Sequence, residues 1–161
     1  MQLIGIIEED FINYKKISMT LEFPYCSFKC NKEYGSNICQ NYQLNEYTIK
    51  DYNIEHIVSK YINNNISESI FMQGLEPLDS FEDVIEFIRY FRYVCNDDIV
   101  IYTGYEENEI KDKLLILKQF KNIIVKIGRY IPNEHSHFDR VLGINLASSN
   151  QYAINLEDYR I

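Results

Sequence analysis

The sequence predicts an α/β fold, an incomplete (partial) β/α barrel with a mainly parallel sheet, in a single domain over residues 1–161. Three observations predict it. Short apolar strands alternate with amphipathic helical segments, which is the signature of βαβ units. The length of 161 residues suits one domain but falls far short of the ~250 residues of a complete eight-stranded barrel. The residues able to do chemistry follow strand ends, where parallel sheets place their ligands.

The elements follow in order. Residues 17–23 (ISMTLEF) alternate and are rich in β-formers, and Pro24 closes this strand just before the first cysteine. Residues 53–62 carry Ile54, Ile57, Val58 and Tyr61 at helical spacing, with Asn53 as N-cap. Residues 69–73 (SIFMQ) form a buried strand stopped by Gly74 and Pro77. A helix begins after Ser80, where Asp83 stands in the capping-box position usually held by Glu. Its apolar stripe is Phe81, Val84, Ile85, Ile88 and Phe91, and it runs to about Val94. Residues 99–102 (IVIY) are a strand ended by Thr103-Gly104; residues 106–120 are helical; residues 122–127 (NIIVKI) are a strand ended by Gly128. The segment from Arg129 to Ile161 reads as irregular, with a final strand near residues 151–156.

Composition narrows the partners. A net charge of −8, from 16 basic and 24 acidic residues, argues against nucleic acid as the main ligand, because neutralising phosphates needs surplus Lys and Arg. No apolar run reaches the length of a membrane span, and the N-terminal apolar stretch Leu3–Ile7 is closed by Glu8, Glu9 and Asp10, unlike a secretory signal. The expectation is a cytoplasmic protein.

Three of the four cysteines, Cys26, Cys30 and Cys39, fall within fourteen residues as C-x3-C-x8-C, while Cys95 stands alone after a helix and reads as a packed thiol. Clustered thiols in a cytosolic chain read first as metal ligands. A structural zinc site needs a fourth ligand, for which His56, His135 and His137 lie at no fitting spacing. Three soft thiolates with no local fourth partner suit a four-iron cluster with one open iron. The plain alternative is three small buried thiols without a metal.

Other residues divide between two readings. Glu76, before Pro77 at a strand end, is either a solvated loop carboxylate or a group that meets an ammonium. Lys126 lies in an otherwise apolar strand, either snorkelling out or pointing inward to pair with a ligand carboxylate. Thr103 and Gly104 form either a plain turn or a place where backbone meets a ribose.

The order of these motifs resembles the radical S-adenosylmethionine (SAM) enzymes. A strand leads into the three-cysteine loop, then FMQGLEPLDSFEDV, then IVIYTGY. More narrowly, the chain resembles the activating proteins of anaerobic ribonucleoside-triphosphate reductase. Members share C-x3-C-x2-C, a GGEP-like segment, a YTGY strand end and an SSNQ element. The corresponding residues here are Cys26 and Cys30, Gly74-Leu75-Glu76-Pro77, Tyr102-Thr103-Gly104-Tyr105 and Ser148-Ser149-Asn150-Gln151. The chain departs from the family pattern in three ways. Its loop carries the insertion Asn31–Asn37, Leu75 replaces the second glycine, and Ile127-Gly128 lacks the acid of the usual pair. Ile38 keeps the apolar position before the last cysteine.

The resemblance implies a 4Fe-4S cluster on Cys26, Cys30 and Cys39, with SAM bound around Ile38, Gly74, Leu75, Glu76, Thr103, Gly104 and Lys126. It further implies reductive cleavage of SAM to place a glycyl radical on the partner reductase. The electron would come from a donor such as a flavodoxin or ferredoxin. Competing readings are a radical SAM enzyme acting on a small molecule, and a non-catalytic iron–sulfur electron carrier.

Overall fold

The computed structural model describes residues 1–35 and 38–160. In chain order the strands and helices are β1 (Gln2–Leu3), β2 (Gly5–Asp10), β3 (Ser18–Phe23), α1 (Lys29–Tyr34), β4 (Lys50–Asp51), α2 (Ile54–Asn63) and β5 (Ser69–Gly74). They continue as α3 (Phe81–Val94), β6 (Asp98–Tyr102), α4 (Glu107–Leu117), β7 (Ile123–Ile127), β8 (His137–Asp139), β9 (Ile144–Leu146) and β10 (Tyr152–Asn155). The main sheet has the order β10-β7-β6-β5-β3-β2. Its four central strands are mutually parallel, while β2 and β10 close the two edges in antiparallel pairings. The fold is therefore mixed α/β with a mostly parallel sheet, and among the described residues the sheet does not close into a barrel. No helix among them is long and apolar enough to cross a membrane.

The central strands read as near-continuous apolar runs because both faces are covered. On one face Met19, Leu21, Ile70, Met72, Ile99, Ile101, Ile123 and Val125 join Ile57, Val58, Val84, Ile88, Phe91, Ile110 and Leu114 from the helices in the large core. The alternate residues Phe71, Val100 and Ile124 form a smaller core with Tyr14, Leu142 and Leu146. On this second face the register aligns Thr20, Phe71, Val100 and Ile124 across the parallel strands. Two residues further along each strand the same face turns polar, with Glu22 paired to Gln73 and Tyr102 to Lys126. That polar row lies at the C-terminal strand ends and forms the floor of the site described below.

Several local expectations change. Asn53 caps α2 as expected, accepting from the His56 N–H at 3.1 Å. The capping box at Ser80 does not form: Ser80 makes no cap bond, and Asp83 instead accepts from the Gln2 N–H at 3.1 Å. A reciprocal box does form at α4, between Glu106 and Glu109. The C-terminal segment is more ordered than its composition suggests. β8 and β9 pair as a hairpin over the second face, and β10 completes the sheet edge. The cysteine loop contains a short helix, α1, which carries Cys30.

Asp10 anchors the bend that leads from β2 into this second face. Its carboxylate accepts from the Ile12 N–H at 2.8 Å, the Asn13 side chain at 2.7 Å and the Thr20 hydroxyl at 2.8 Å. Burial raises its pKa, but these donors outweigh burial and leave the net shift below the ordinary 3.8. A depressed carboxylate contributes stability that is present above the unfolded value and lost as the pH falls through the lower folded value. Asp10→Asn is therefore expected to cost roughly 1–3 kcal/mol at neutral pH, because it turns an acceptor of several donors into a mixed group. The difference from wild type should shrink below about pH 4, as thermal unfolding across pH would measure.

Candidate functional site

The C-terminal ends of the parallel strands open into one cleft of about 270 Å³. Cys26, Cys30 and Cys39 line it on one side, and Gly74, Leu75, Glu76, Thr103, Gly104 and Lys126 line its floor and wall. Of the residues expected to hold the cluster or the cofactor, only Ile38 stays off the lining; it is half-buried, and Ser36 and Asn37 precede it in the chain. Those two residues belong to the loop insertion and lie outside the described residues.

The three thiols are free and half-buried. Pro24 ends β3 and the chain turns at once, with the Phe28 N–H reaching back to the Cys26 sulfur at 3.2 Å. Cys30 neighbours both of the other thiols, its charge acting on Cys26 and on Cys39. Burial pushes the Cys26 thiol up to about 12, and nearby Glu76 and Asp79 add to the shift. Burial also raises Cys39, against a hydrogen bond from the Asn41 N–H. Both thiols therefore hold their protons in the free protein, and a metal binding there must displace them.

Among the described residues, no three His, Cys, Asp or Glu side chains converge as a single ion requires. A single zinc needs every donor within about 2.0–2.3 Å of one centre. A four-iron cluster takes each thiolate on a different iron, so its ligands stand further apart. Three soft thiols lining one cleft suit such a cluster by their chemistry. His56 lies on α2 beside Glu8 and Glu9, away from the thiols. The isolated Cys95 packs against the helix-face core, in agreement with its reading as a packed thiol.

The GLEP segment is shaped by the close crossing of β5 and the β3 end. Gly74 has φ +100°, and a Cβ there would lie 2.6 Å from the Phe23 nitrogen. Leu75 donates its N–H to the Phe23 carbonyl at 2.9 Å, and Asn41 ties the cysteine loop to the Gly74 carbonyl at 2.7 Å. Leu75 thus has room in the fold despite replacing a glycine. Glu76 is buried, not the solvated loop carboxylate of the plainer reading. Burial raises its pKa to about 7, while the Gly104 N–H, the Leu78 N–H and the Thr103 side chain pull it down. Gly104 donates to it at 2.8 Å, so this backbone group serves the β5–β6 connection. Thr103 is also committed, accepting from the Tyr105 N–H at 3.0 Å.

Lys126 points into the cleft and does not snorkel outward. It is 7% exposed, donates to the Gly128 carbonyl at 2.9 Å and lies over the Tyr102 ring at 5.6 Å. Burial pushes its ammonium down from 10.5 to about 8, with Glu76 and Glu106 opposing. It is the cation of the cleft floor.

The remaining motifs act as supports. Asp79 accepts from the Ser27 N–H at 2.8 Å and from the Tyr105 hydroxyl at 2.5 Å, joining the cysteine loop to the YTGY turn. Gln151 accepts from Ala147 and Ser148 at 3.2 Å and donates to the Gly128 carbonyl at 3.3 Å, while Asn150 donates to the Arg129 carbonyl at 2.8 Å. The SSNQ element therefore clamps the turn after β7. Sequence reasoning missed Asn41 and Arg129. Arg129 lines the cleft, is buried, and grips Glu109 with bonds of 2.6 and 2.7 Å. A lone Arg after a strand end gives no signal of such a partner.

A family model described as a 4Fe-4S single cluster domain matches residues 16–154. No curated protein and no solved structure matches the chain.

Proposed function

This chain belongs to the family of 4Fe-4S single cluster domains, and we propose that it is a radical SAM enzyme of the activating type. In this reading Cys26, Cys30 and Cys39 hold the cluster. SAM lies against Gly74, Leu75, Glu76, Thr103, Gly104 and Lys126, with Ile38 beside the adenine. The glycyl-radical site of an anaerobic ribonucleoside-triphosphate reductase is the substrate. In this reading the four parallel strands would serve as the strands of a partial barrel. The single observation that carries the reading is the cleft itself, which gathers three thiols and the GLEP, YTGY and Lys126 segments at one set of strand ends.

When bound, the reduced cluster would supply one electron for reductive cleavage of the sulfonium–C5′ bond of SAM, with methionine as the leaving group and a 5′-deoxyadenosyl radical as the other product. The chain's own part is binding, orientation and exclusion of water. Lys126 offers a desolvated ammonium to the ligand carboxylate, where a charge-assisted hydrogen bond is strongest. The strand-end carbonyls around Gly74 and Leu75 accept from the ligand ammonium. Gly104 and Glu76 fix the opposite wall through their 2.8 Å bond, so the pocket keeps its shape without the ligand. A cleft of about 270 Å³ lies near the lower limit for small-molecule pockets. It leaves little volume for a second small substrate, which favours a loop of a macromolecular partner.

The test is anaerobic reconstitution with iron and sulfide, then dithionite or a reduced flavodoxin or ferredoxin, SAM and the reductase. The expected result is 5′-deoxyadenosine with a glycyl radical signal that appears only with the reductase. Formation of 5′-deoxyadenosine without that signal would move the substrate to a small molecule. A cluster that reduces and reoxidises without cleaving SAM would make the chain an electron carrier.

A further inference from the structure

The helix carrying Cys30 has little to hold it by itself. α1 has six residues, none of them buried, no side-chain cap, and an N-cap residue, Phe28, in the left-handed region at φ 50°. A helix of this length is far below what is stable alone in water. Lys29 and Glu33 are four residues apart and so share one face of α1. Each meets an opposite charge from the body of the fold. Lys29 pairs with Glu109 at 2.8 Å and stands over the Tyr105 ring at 4.7 Å, and Glu33 pairs with Arg129 at 3.4 Å. Glu109 and Arg129 are themselves joined by the bidentate bond, and Arg129 is fixed further by its N–H to Glu106 at 3.2 Å. The four charges alternate in sign from partner to partner, Lys29, Glu109, Arg129, Glu33, with Glu106 a further carboxylate on Arg129 at 3.6 Å.

We propose that this quartet is a docking latch, with Arg129 as the positioning residue, that closes the Cys30 helix onto the cleft mouth by charge pairing in place of apolar packing. The inner pair, Glu109 with Arg129, is a preformed receptor on α4 and the turn after β7. The outer charges, Lys29 and Glu33, are carried by α1. The latch presents Cys30 beside Cys26 and Cys39, and its catalytic meaning rests on the cluster reading above. The latch contacts themselves exist without any cluster.

A swap variant, Lys29→Glu with Glu33→Lys, tests this on the full chain, metal-free and reduced under anaerobic conditions. It conserves composition and net charge, yet sets like charges against Glu109 and Arg129. Alkylation by iodoacetamide is followed for each cysteine by peptide mass spectrometry, with Cys95 as internal reference. The expected result is a Cys30 rate several-fold above wild type with Cys95 unchanged, since two pairs are lost and exposed pairs contribute up to ~1 kcal/mol, or about fivefold, each. In about 1 M salt, where screening acts over ~3 Å, the wild-type Cys30 rate should rise and the variant's should not. Equal Cys30 rates in the two proteins would overturn the latch. So would a Cys95 rate that climbs in step, which would mean that the quartet supports the whole fold. Iron uptake is measured separately: a latch confirmed by alkylation in a chain that takes up no iron would sink the cluster reading alone.

Discussion

Gly74→Ala is expected to destabilise the chain by roughly 3–5 kcal/mol, the sum of backbone strain and overpacking. The strain arises because φ is +100°, and the overpacking because the new Cβ would lie 2.6 Å and 2.7 Å from the Phe23 backbone nitrogen and oxygen. Neither atom belongs to a flexible side chain. Relief would require β5 to move away from the β3 end, breaking the 2.9 Å bond from the Leu75 N–H to the Phe23 carbonyl. For a chain of this size the melting temperature should fall by about 10 °C or more. The displaced segment carries Leu75 and Glu76, so on the proposed function SAM turnover should fall even at temperatures where the variant is folded. Scanning calorimetry with a 5′-deoxyadenosine assay reads both effects, and a variant as stable as wild type would mean that the crossing is looser than described.

Lys126→Met should have opposite effects on stability and on ligand binding. The ammonium is buried, and its pKa falls from 10.5 to about 8. A depressed folded pKa means that the neutral form favours the fold. The contribution is present above pH 10.5 and lost as the pH falls through about 8. At pH 6 the charged side chain therefore opposes folding by up to about 3 kcal/mol, which a neutral chain of similar length would relieve. The Gly128 carbonyl, deprived of Lys126, keeps the Gln151 amide at 3.3 Å as donor. The metal-free variant is expected to melt several degrees higher than wild type at pH 6, with the gap narrowing above pH 8. On the proposed function its KM for SAM should rise about tenfold or more, because the charge-assisted bond proposed between Lys126 and the ligand would be gone. Gain in one readout and loss in the other is the pattern of a group kept for function. A variant that loses stability and keeps its KM would make Lys126 a structural residue.

What was legible in the sequence follows from physics that is local in the chain. The parallel strands announced themselves because both faces are buried, so runs such as IVIY and IIVKI are apolar throughout. Three thiols within fourteen residues needed no structure to be noticed. The hidden features depend on partners distant in sequence. β8 and β9 are three residues long, and their strand character comes from packing on the second face and from the Asp139 side-chain bonds, whereas β10 falls where the sequence reads a final strand near residues 151–156. The direction of Lys126 was undecided until the pleat register set it beside Tyr102 on the polar row. Arg129 and Glu109 are twenty residues apart, and nothing in either one's neighbourhood predicts the other. Ser80 and Asp83 show the opposite error, a capping signature that formed no cap because Asp83 was taken by Gln2.

The central claim is that Cys26, Cys30 and Cys39 together hold one 4Fe-4S cluster, with the distant Cys39 completing the set. Iron and sulfide content, with the electron paramagnetic resonance spectrum after reduction, should be measured on anaerobically reconstituted wild type, Cys39→Ala and Cys95→Ala. About four irons per chain and a reduced-cluster signal are predicted for wild type and Cys95→Ala, with both lost or replaced by a degraded cluster in Cys39→Ala. A full cluster with an unchanged spectrum in Cys39→Ala would contradict the account, because the third ligand would then lie elsewhere.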